Sequence, residues 1–218
     1  MVFDPAMMWR ALPVLLAGLR VTIELSLLAA VLSAFWAVPI VLARLSPLRA
    51  LSVPAVSYIQ IVRNTPVLVQ MYFFYFGFAM AGLRLSGFAA GLLALVLQNA
   101  GYITEIYRAG ITAVGERQRE AGLALGMRPL EAFRIVVFPQ ALRLVIAPLT
   151  NQFVVIIKDT ALVSTLSVAE MTFNARLLVD RTAAAYEVFA TLAVLYLAVT
   201  GVAALAMGVI EWRVREAY

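Results

Sequence analysis

The stretch "LSLLAAVLSAFWAVPIVLA", residues 25–43, contains no charged side chain over 19 positions. A helix that rises 1.5 Å per residue needs about 20 apolar residues to cross roughly 30 Å of hydrocarbon. Three further charge-free runs of similar length occupy residues 64–83, 85–104 and 188–210. This repeated length predicts membrane-spanning helices.

A fifth apolar region is interrupted by two ionisable residues. Residues 144–157 and 161–169 are charge-free, and Lys158 and Asp159 lie between them. The first part is too short to cross a membrane, but the joined region is long enough. The sequence therefore predicts an all-α integral membrane protein with five transmembrane helices. Residues 51–62, also charge-free, either lengthen the second span or form an amphipathic approach to it.

The overall composition agrees with this fold class and excludes several kinds of function. Hydrophobic residues make up 64% of the 218 positions, charged residues 13%, and the mean hydropathy is +0.95. The net charge of +5 comes from arginines scattered between apolar runs, which is typical of cytoplasmic span ends and not of nucleic-acid binding. Because cysteine and histidine are absent, disulfides, thiol nucleophiles, metal sites built from those residues and Ser-His catalysis are excluded.

The distribution of arginines predicts the orientation in the membrane. If the N-terminus is outside, 11 arginines fall on the inner side and 5 on the outer side, as the positive-inside rule requires. The first residues lack the cationic start and the cleavage site of a signal peptide, so we expect them in the mature protein. The C-terminus is then inside, and residues 105–143 form a cytoplasmic loop between spans 3 and 4.

The pattern within this loop predicts two helices joined by a tight turn. Residues 116–125 are helix formers, Gly126 suits a left-handed C-terminal cap, and Pro129 suits the first turn of a second helix. That second helix is expected to stop before Pro139. Pattern alone leaves two interpretations open, a hairpin that packs on its own spans and a docking surface for a partner.

The loop resembles the cytoplasmic signature of ABC importer membrane subunits. That signature is Glu-Ala-Ala, three residues, Gly, nine residues and Ile-x-Leu-Pro. The matching positions here, with the spacing kept, are Glu120, Ala121, Gly122, Gly126, Val136, Phe138 and Pro139. Gly122, Val136 and Phe138 depart from the signature only by small or apolar exchanges.

The resemblance extends over nearly the full chain. Stretches similar to permeases for polar amino acids are "GLRVTIELSLLAAVLS" (18–33), "VRNTPVLVQMYFFYFG" (62–77), "YITEIYRAGITAVGERQREAGLALGM" (102–127) and "KDTALVSTLSVAEM" (158–171). The resemblance implies one type I importer transmembrane domain over residues 1–218, in a bacterial inner membrane with a periplasmic N-terminus. It also implies a second permease chain, identical or related, a cytoplasmic ABC ATPase dimer and a periplasmic amino-acid-binding protein.

The resemblance also implies that energy enters through another polypeptide. The chain has no Gly-x-x-x-x-Gly-Lys-Ser/Thr loop, and its only lysine is Lys158, so it cannot cradle ATP in that manner. We expect a non-catalytic subunit without a cofactor or metal of its own, and we expect ATP and Mg²⁺ to bind to the partner ATPase. The residues expected to couple to that ATPase are Glu120, Ala121, Gly122, Gly126 and Pro139.

Polar groups inside the spans are the candidates for the substrate pathway, because ionisable residues in hydrocarbon are costly and usually face protein or water. These are Gln98, Asn99, Lys158, Asp159 and Glu170. Each also has a structural interpretation: snorkelling or pairing for Lys158 and Asp159, a solvated helix end for Glu170, and helix-to-helix ties for the two amides.

The sequence thus predicts the permease subunit of an ATP-driven importer for polar amino acids. Arg63, at the cytoplasmic start of the second span, is expected to be an anchor or a brace between subunits. Rival interpretations are a secondary carrier or channel without an ATPase, and ABC uptake of an opine or another amino-acid derivative. A membrane-embedded enzyme is disfavoured, because no histidine, cysteine or acidic motif supplies a catalyst.

Overall fold

The computed structural model describes residues 4–216, which form helices and contain no β-strand. The helices of this part are α1 (Pro5–Leu45), α2 (Arg49–Asn64), α3 (Val67–Met80), α4 (Gly87–Ala113), α5 (Glu116–Ala124), α6 (Pro129–Leu166), α7 (Met171–Thr182) and α8 (Ala185–Glu216). The all-α prediction therefore holds for the described residues.

Four of the described helices, α1, α4, α6 and α8, are long and apolar enough to cross a membrane. The predicted second span, residues 64–83, differs from expectation, because its helix α3 has only 14 residues. Length and composition thus give four candidate spans, and the predicted count of five is not confirmed.

The second span is short because the chain breaks at Thr65 and Pro66. Proline has no backbone N–H and disfavours a helical conformation in the residue before it, and Thr65 is extended, with φ −101° and ψ 127°. Residues 51–62 therefore lie in the separate helix α2. Its buried residues, Ala55, Ile59 and Val62, recur at helical spacing, so α2 is the amphipathic approach and does not lengthen the span.

Helix α6 corrects the expectation that the second loop helix stops before Pro139. The helix continues through Pro139 to Leu166, and one turn before the proline, Phe133–Val137, is π-helical. In that turn the N–H of Phe138 donates to the carbonyl of Phe133, five residues back. A π turn changes the hydrogen-bond register locally, so the helix accommodates a proline that would otherwise break its ladder.

The core has two centres, and α1 contributes to both. One contains Leu25 of α1 with Met71, Leu95 and Val163 of α3, α4 and α6. The other lies at the N-terminal half of α1, against α7 and α8. At 41 residues α1 is about 60 Å long. Its N-terminal half is therefore a continuation of the first span and not a separate segment.

The outer surface of α8 is apolar and exposed. Large side chains along it, among them Val194, Leu197, Val202 and Leu205, are more than half exposed. A long helix of this composition with an uncovered apolar face is suited to contact lipid. The interior is therefore built by α1, α3, α4 and α6, and α7 closes one end together with Val188 and Leu192 of α8.

Candidate functional site

The hairpin between α4 and α6 has an exposed tip. Gly126 has a φ of +83°, which glycine adopts without steric cost, and it ends α5 as predicted. Glu120 and Ala121 are exposed on α5, and the apolar side chains of Leu125 and Leu130 beside the turn are 81% and 67% exposed. The tip therefore presents apolar groups outward, beside charged ones.

The two helices of the hairpin are packed closely. Gly122 is buried against α6, and a Cβ at this position would lie 3.2 Å from the Cβ of Ala132. Pro139 lies well inside α6, beyond the π turn, so the structure separates it from the other four predicted coupling residues. On the outer face of α5, Arg119 donates hydrogen bonds to Glu116, and this contact lowers the pKa of the Glu116 carboxyl.

Glu170 lies in a closed junction between α1, α7 and α8, where its side chain is fully buried. One carboxylate oxygen accepts the N–H of Phe173 at 2.7 Å, so Glu170 is the N-cap of α7. The other accepts the hydroxyl of Tyr196 at 3.0 Å and faces Thr22 at 3.5 Å. Thr22 in turn accepts the N–H of Met171 at 3.3 Å. Both oxygens of Glu170 are thus engaged by protein groups.

Gly18 allows the helices of this junction to approach each other. A Cβ at Gly18 would lie 2.6 Å from the carbonyl carbon of Glu170 and 2.7 Å from the nitrogen of Met171. These are backbone atoms and cannot rotate away. The close approach of α1 to the start of α7 therefore requires glycine at this position.

Two buried glutamines compensate for the break between α2 and α3. The side-chain amide of Gln70 donates to the carbonyls of Val62 and Thr65, both at 2.9 Å, and Gln98 donates to the same Thr65 carbonyl at 3.0 Å. The Val62 carbonyl has lost its helical partner because Pro66 has no N–H to donate, and the Thr65 carbonyl has lost its own because the N–H of Val69 donates to Pro66 instead. Gln98 therefore has a structural role at this break.

Asn99 connects α4 to α6. Its carbonyl oxygen accepts the side-chain amide of Gln152 at 2.7 Å, and its own amide donates to the carbonyl of Leu95 at 2.7 Å. Asn99 is buried, whereas Gln152 is only half-buried. Through Gln152, a buried polar group is linked to the surface of an open cavity.

That cavity has a volume of about 590 Å³ and lies between α2, α4 and α6, on the hairpin side of the molecule. Side chains that line it include Arg63, Tyr102, Glu105, Arg108, Pro148 and Gln152. Charged groups on a helix bundle normally face such water-accessible spaces. The volume is within the range of roughly 300 to 1,000 Å³ that is usual for small-molecule sites.

The charges of the cavity are unevenly paired. Glu105 accepts Arg108 at 2.8 Å and lies 3.8 Å from Arg44 of α1. The guanidinium of Arg63 lies 4.9 Å above the ring of Tyr102 and forms no salt bridge among the described residues. No group of three or more His, Cys, Asp or Glu residues in the described part could hold a metal ion.

The predicted pathway residues are not brought together. Lys158 is exposed and Asp159 half-buried where α6 tightens into its last, 3-10 turns, and they form no salt bridge with each other. Lys158, Asp159 and Glu170 do not line the cavity. Gln98 and Asn99 do not line it either, although Asn99 accepts a hydrogen bond from the lining residue Gln152.

The sequence interpretation missed the residues of the cavity wall. Tyr102, Glu105 and Arg108 recur every three residues, so they share a face of α4. That repeat was the sequence signal that could have identified this wall of the cavity. A polar stripe at the end of an apolar run indicates a water-facing surface. What the repeat does not indicate is which other helix completes the cavity.

Known proteins resemble this chain over nearly its whole length. The glutamine transport system permease protein GlnP of Escherichia coli K12 is 33% identical, with 99% of each chain covered. The octopine transport system permease protein OccM of Rhizobium meliloti is 35% identical, with 97% of this chain and 90% of the relative covered.

A solved structure shares the fold. The crystal structure of an amino acid ABC transporter with histidines matches with a TM-score of 0.92 and 33% identity, over 98% of this chain and 100% of the other. The family model for binding-protein-dependent transport system inner membrane components matches residues 37–216. The resemblance stated from the sequence is confirmed. The chain belongs to the family of binding-protein-dependent transport system inner membrane components.

Proposed function

We propose that the chain is the permease subunit of an ATP-binding cassette importer that moves polar amino acids inward. The observation that carries this proposal is the 33% identity, over 99% of both chains, to a permease of a glutamine transport system. The exposed hairpin supports it, because a secondary carrier or channel has no need of an outward-facing apolar tip. The chain is then one type I importer transmembrane domain over residues 1–218, with the coupling loop within residues 105–143.

The proposed topology has five crossings in a bacterial inner membrane. In it α3, together with residues 81–86, completes the second crossing, and the N-terminus is periplasmic and the C-terminus cytoplasmic. The arginine distribution supports this orientation, since 11 of the arginines then lie on the inner side. The hairpin is then cytoplasmic, where an ATPase can reach it.

The proposed partners follow from the family. A cytoplasmic ABC ATPase dimer binds ATP and Mg²⁺ and receives the hairpin tip, with Glu120, Ala121, Gly122 and Gly126 at the contact. Pro139 acts indirectly, through the π turn Phe133–Val137, which lies between the hairpin end of α6 and the rest of that helix. A second permease chain, identical or related, and a periplasmic amino-acid-binding protein complete the transporter.

For the substrate pathway we propose Asn99, because the Asn99–Gln152 hydrogen bond links it to the cavity wall. Gln98 is a weaker candidate, because its amide already donates to the Thr65 carbonyl at the break between α2 and α3. Lys158 and Asp159 remain candidates, since neither is held in a salt bridge within the described residues. Glu170 is a weaker candidate, because both of its oxygens already accept hydrogen bonds from protein groups. Contact with substrate would require the junction to open.

The proposal is tested on the complete transporter in proteoliposomes. We expect Gly126→Pro and Glu120→Arg to leave assembly intact, to lower amino-acid uptake at least about tenfold, and to abolish substrate-stimulated ATP hydrolysis. Gly82→Pro is a matched control, because Gly82 also has a positive φ, +86°, and also donates its N–H in a turn. Normal uptake and normal stimulation in both hairpin variants would contradict the proposed coupling.

A second candidate function is the uptake of an opine or another amino-acid derivative. The 35% identity to the octopine system permease favours it as strongly as the glutamine relative favours an amino acid. Competition between labelled glutamine and octopine in the same proteoliposomes separates the two. Uptake without ATP would instead indicate a secondary carrier.

A further inference from the structure

The wall of the cavity carries Arg63, a cation that has no salt-bridge partner within the described residues 4–216. Arg108 is satisfied by Glu105, and Arg44 approaches the same carboxylate from α1. No carboxylate of the described residues forms a salt bridge with Arg63, although its side chain lines the cavity. With three positive groups around a single carboxylate, the cavity and its edge have an excess of positive charge.

Two contacts hold Arg63 in place. Its guanidinium stacks over the ring of Tyr102, with 4.9 Å between the guanidinium carbon and the ring centroid. The hydroxyl of Tyr102 donates weakly, at 3.4 Å, to the backbone carbonyl of Arg63. Stacking on an aromatic ring orients a guanidinium but leaves its N–H donors free, and these donors match a carboxylate in a two-pronged arrangement.

We propose that Arg63 binds the α-carboxylate of an amino acid in this cavity, on the hairpin side of the membrane domain. The proposal rests on the proposed transport function and adds the group that recognises the substrate class. It replaces the expectation that Arg63 is an anchor or a brace between subunits.

The other walls suit the remainder of such a substrate. Gln152 lines the cavity with an amide whose donor is held by Asn99, so its carbonyl oxygen is available to accept a hydrogen bond from an ammonium group. Leu144 and Pro148 of α6 provide apolar surface for a side chain. In the proposed mode the carboxylate contacts Arg63 of α2 and the ammonium group contacts Gln152 of α6, since both residues line the same cavity.

The test is equilibrium binding of labelled L-glutamine to the detergent-solubilised transporter, without the binding protein, in competition with L-glutaminamide. The amide lacks the α-carboxylate charge. In the wild-type transporter we expect the amide to bind at least about tenfold more weakly. In Arg63→Gln we expect the affinity for glutamine to fall to that for the amide. In Arg63→Lys we expect glutamine to bind still somewhat more tightly than the amide. Arg49→Gln, at the other end of α2 and outside the cavity, serves as the control and should bind like wild type.

Several results would overturn the proposal. Unchanged glutamine binding in Arg63→Gln, or an equal loss for glutamine and its amide, would mean that Arg63 does not contact the carboxylate. Size exclusion could instead show that Arg63→Gln loses its paired permease while the remaining complex still prefers glutamine to the amide. That result would mean that Arg63 is a brace between subunits. If the wild-type transporter binds neither an amino acid nor octopine, the proposed binding by Arg63 fails, whereas the proposed transport function fails only if uptake in proteoliposomes is also absent. Binding of octopine alone contradicts only the choice of glutamine, and the same comparison is then made with octopine.

Discussion

The junction around Glu170 and the cavity around Arg63 both contain ionisable groups within an apolar protein. The two sites differ in how far those groups are buried and in which partners they have. At the junction the carboxylate is fully buried, and the protein supplies a partner to each oxygen. In the cavity the guanidinium is exposed to an open space and has only an aromatic ring beneath it. The first arrangement is complete without a ligand, and the second is not.

This difference separates structural polar groups from candidate binding groups. Burying a charge is tolerable only when hydrogen bonds replace its water, and a substrate must then compete with those protein partners for the same atoms. A cation in a water-filled cavity keeps its hydration and can exchange it for a ligand. The sequence interpretation made Glu170 a candidate for the substrate pathway and Arg63 an anchor or a brace, whereas the partners of the two side chains favour the opposite assignment.

The largest effect is expected from Glu170→Ala, which removes the N-cap of α7 and leaves the Tyr196 hydroxyl without its acceptor. The free energy of unfolding should fall by about 2 to 4 kcal/mol. Denaturant-induced unfolding of the detergent-solubilised protein measures it, with Glu24→Ala on the exposed face of α1 as the control. If the free energy of unfolding fell no more than in the control, Glu170 would have no structural role and would again be a candidate for the substrate pathway.

A smaller loss is expected from Gly18→Ala. The new Cβ would meet the backbone of Glu170 at 2.6 Å, so α1 and α7 must separate, at a cost of about 1 to 3 kcal/mol. Gly201→Ala on α8 is the matched control, because no atom lies within 4 Å of its Cβ position and alanine favours a helix. The same unfolding measurement compares the two, and equal effects would show that the junction is looser than described.

The smallest effect is expected from Glu105→Gln in the cavity. Its partners Arg108 and Arg44 are about one third exposed, and exposed ion pairs contribute about 0 to 1 kcal/mol. The free energy of unfolding should therefore change by less than about 1 kcal/mol. A loss of unfolding free energy as large as that of Glu170→Ala would show that the cavity charges stabilise the fold as the junction does, which contradicts the difference between the two regions.

The apolar runs predicted the long helices because hydrophobic length is a local property of the chain. The hairpin was similarly local: Gly126 and Pro129 mark its turn in the sequence, and both have the expected positions. The end of the second loop helix was predicted wrongly, since a π turn before Pro139 has no simple sequence signal. The helix of the second span is shorter than the predicted run of residues 64–83, because that charge-free run crosses a backbone break at Thr65 and Pro66.

The sequence by itself determined that the chain is helical and apolar enough for a membrane, and its signature spacing determined the family. Only the tertiary structure decided which polar groups have partners. Glu170 accepts a hydrogen bond from Tyr196, 26 positions away, and Arg63 stacks on the ring of Tyr102, 39 positions away. Hydrophobic length and turn chemistry act between neighbours in the chain, whereas the partners of a polar group depend on how the helices pack.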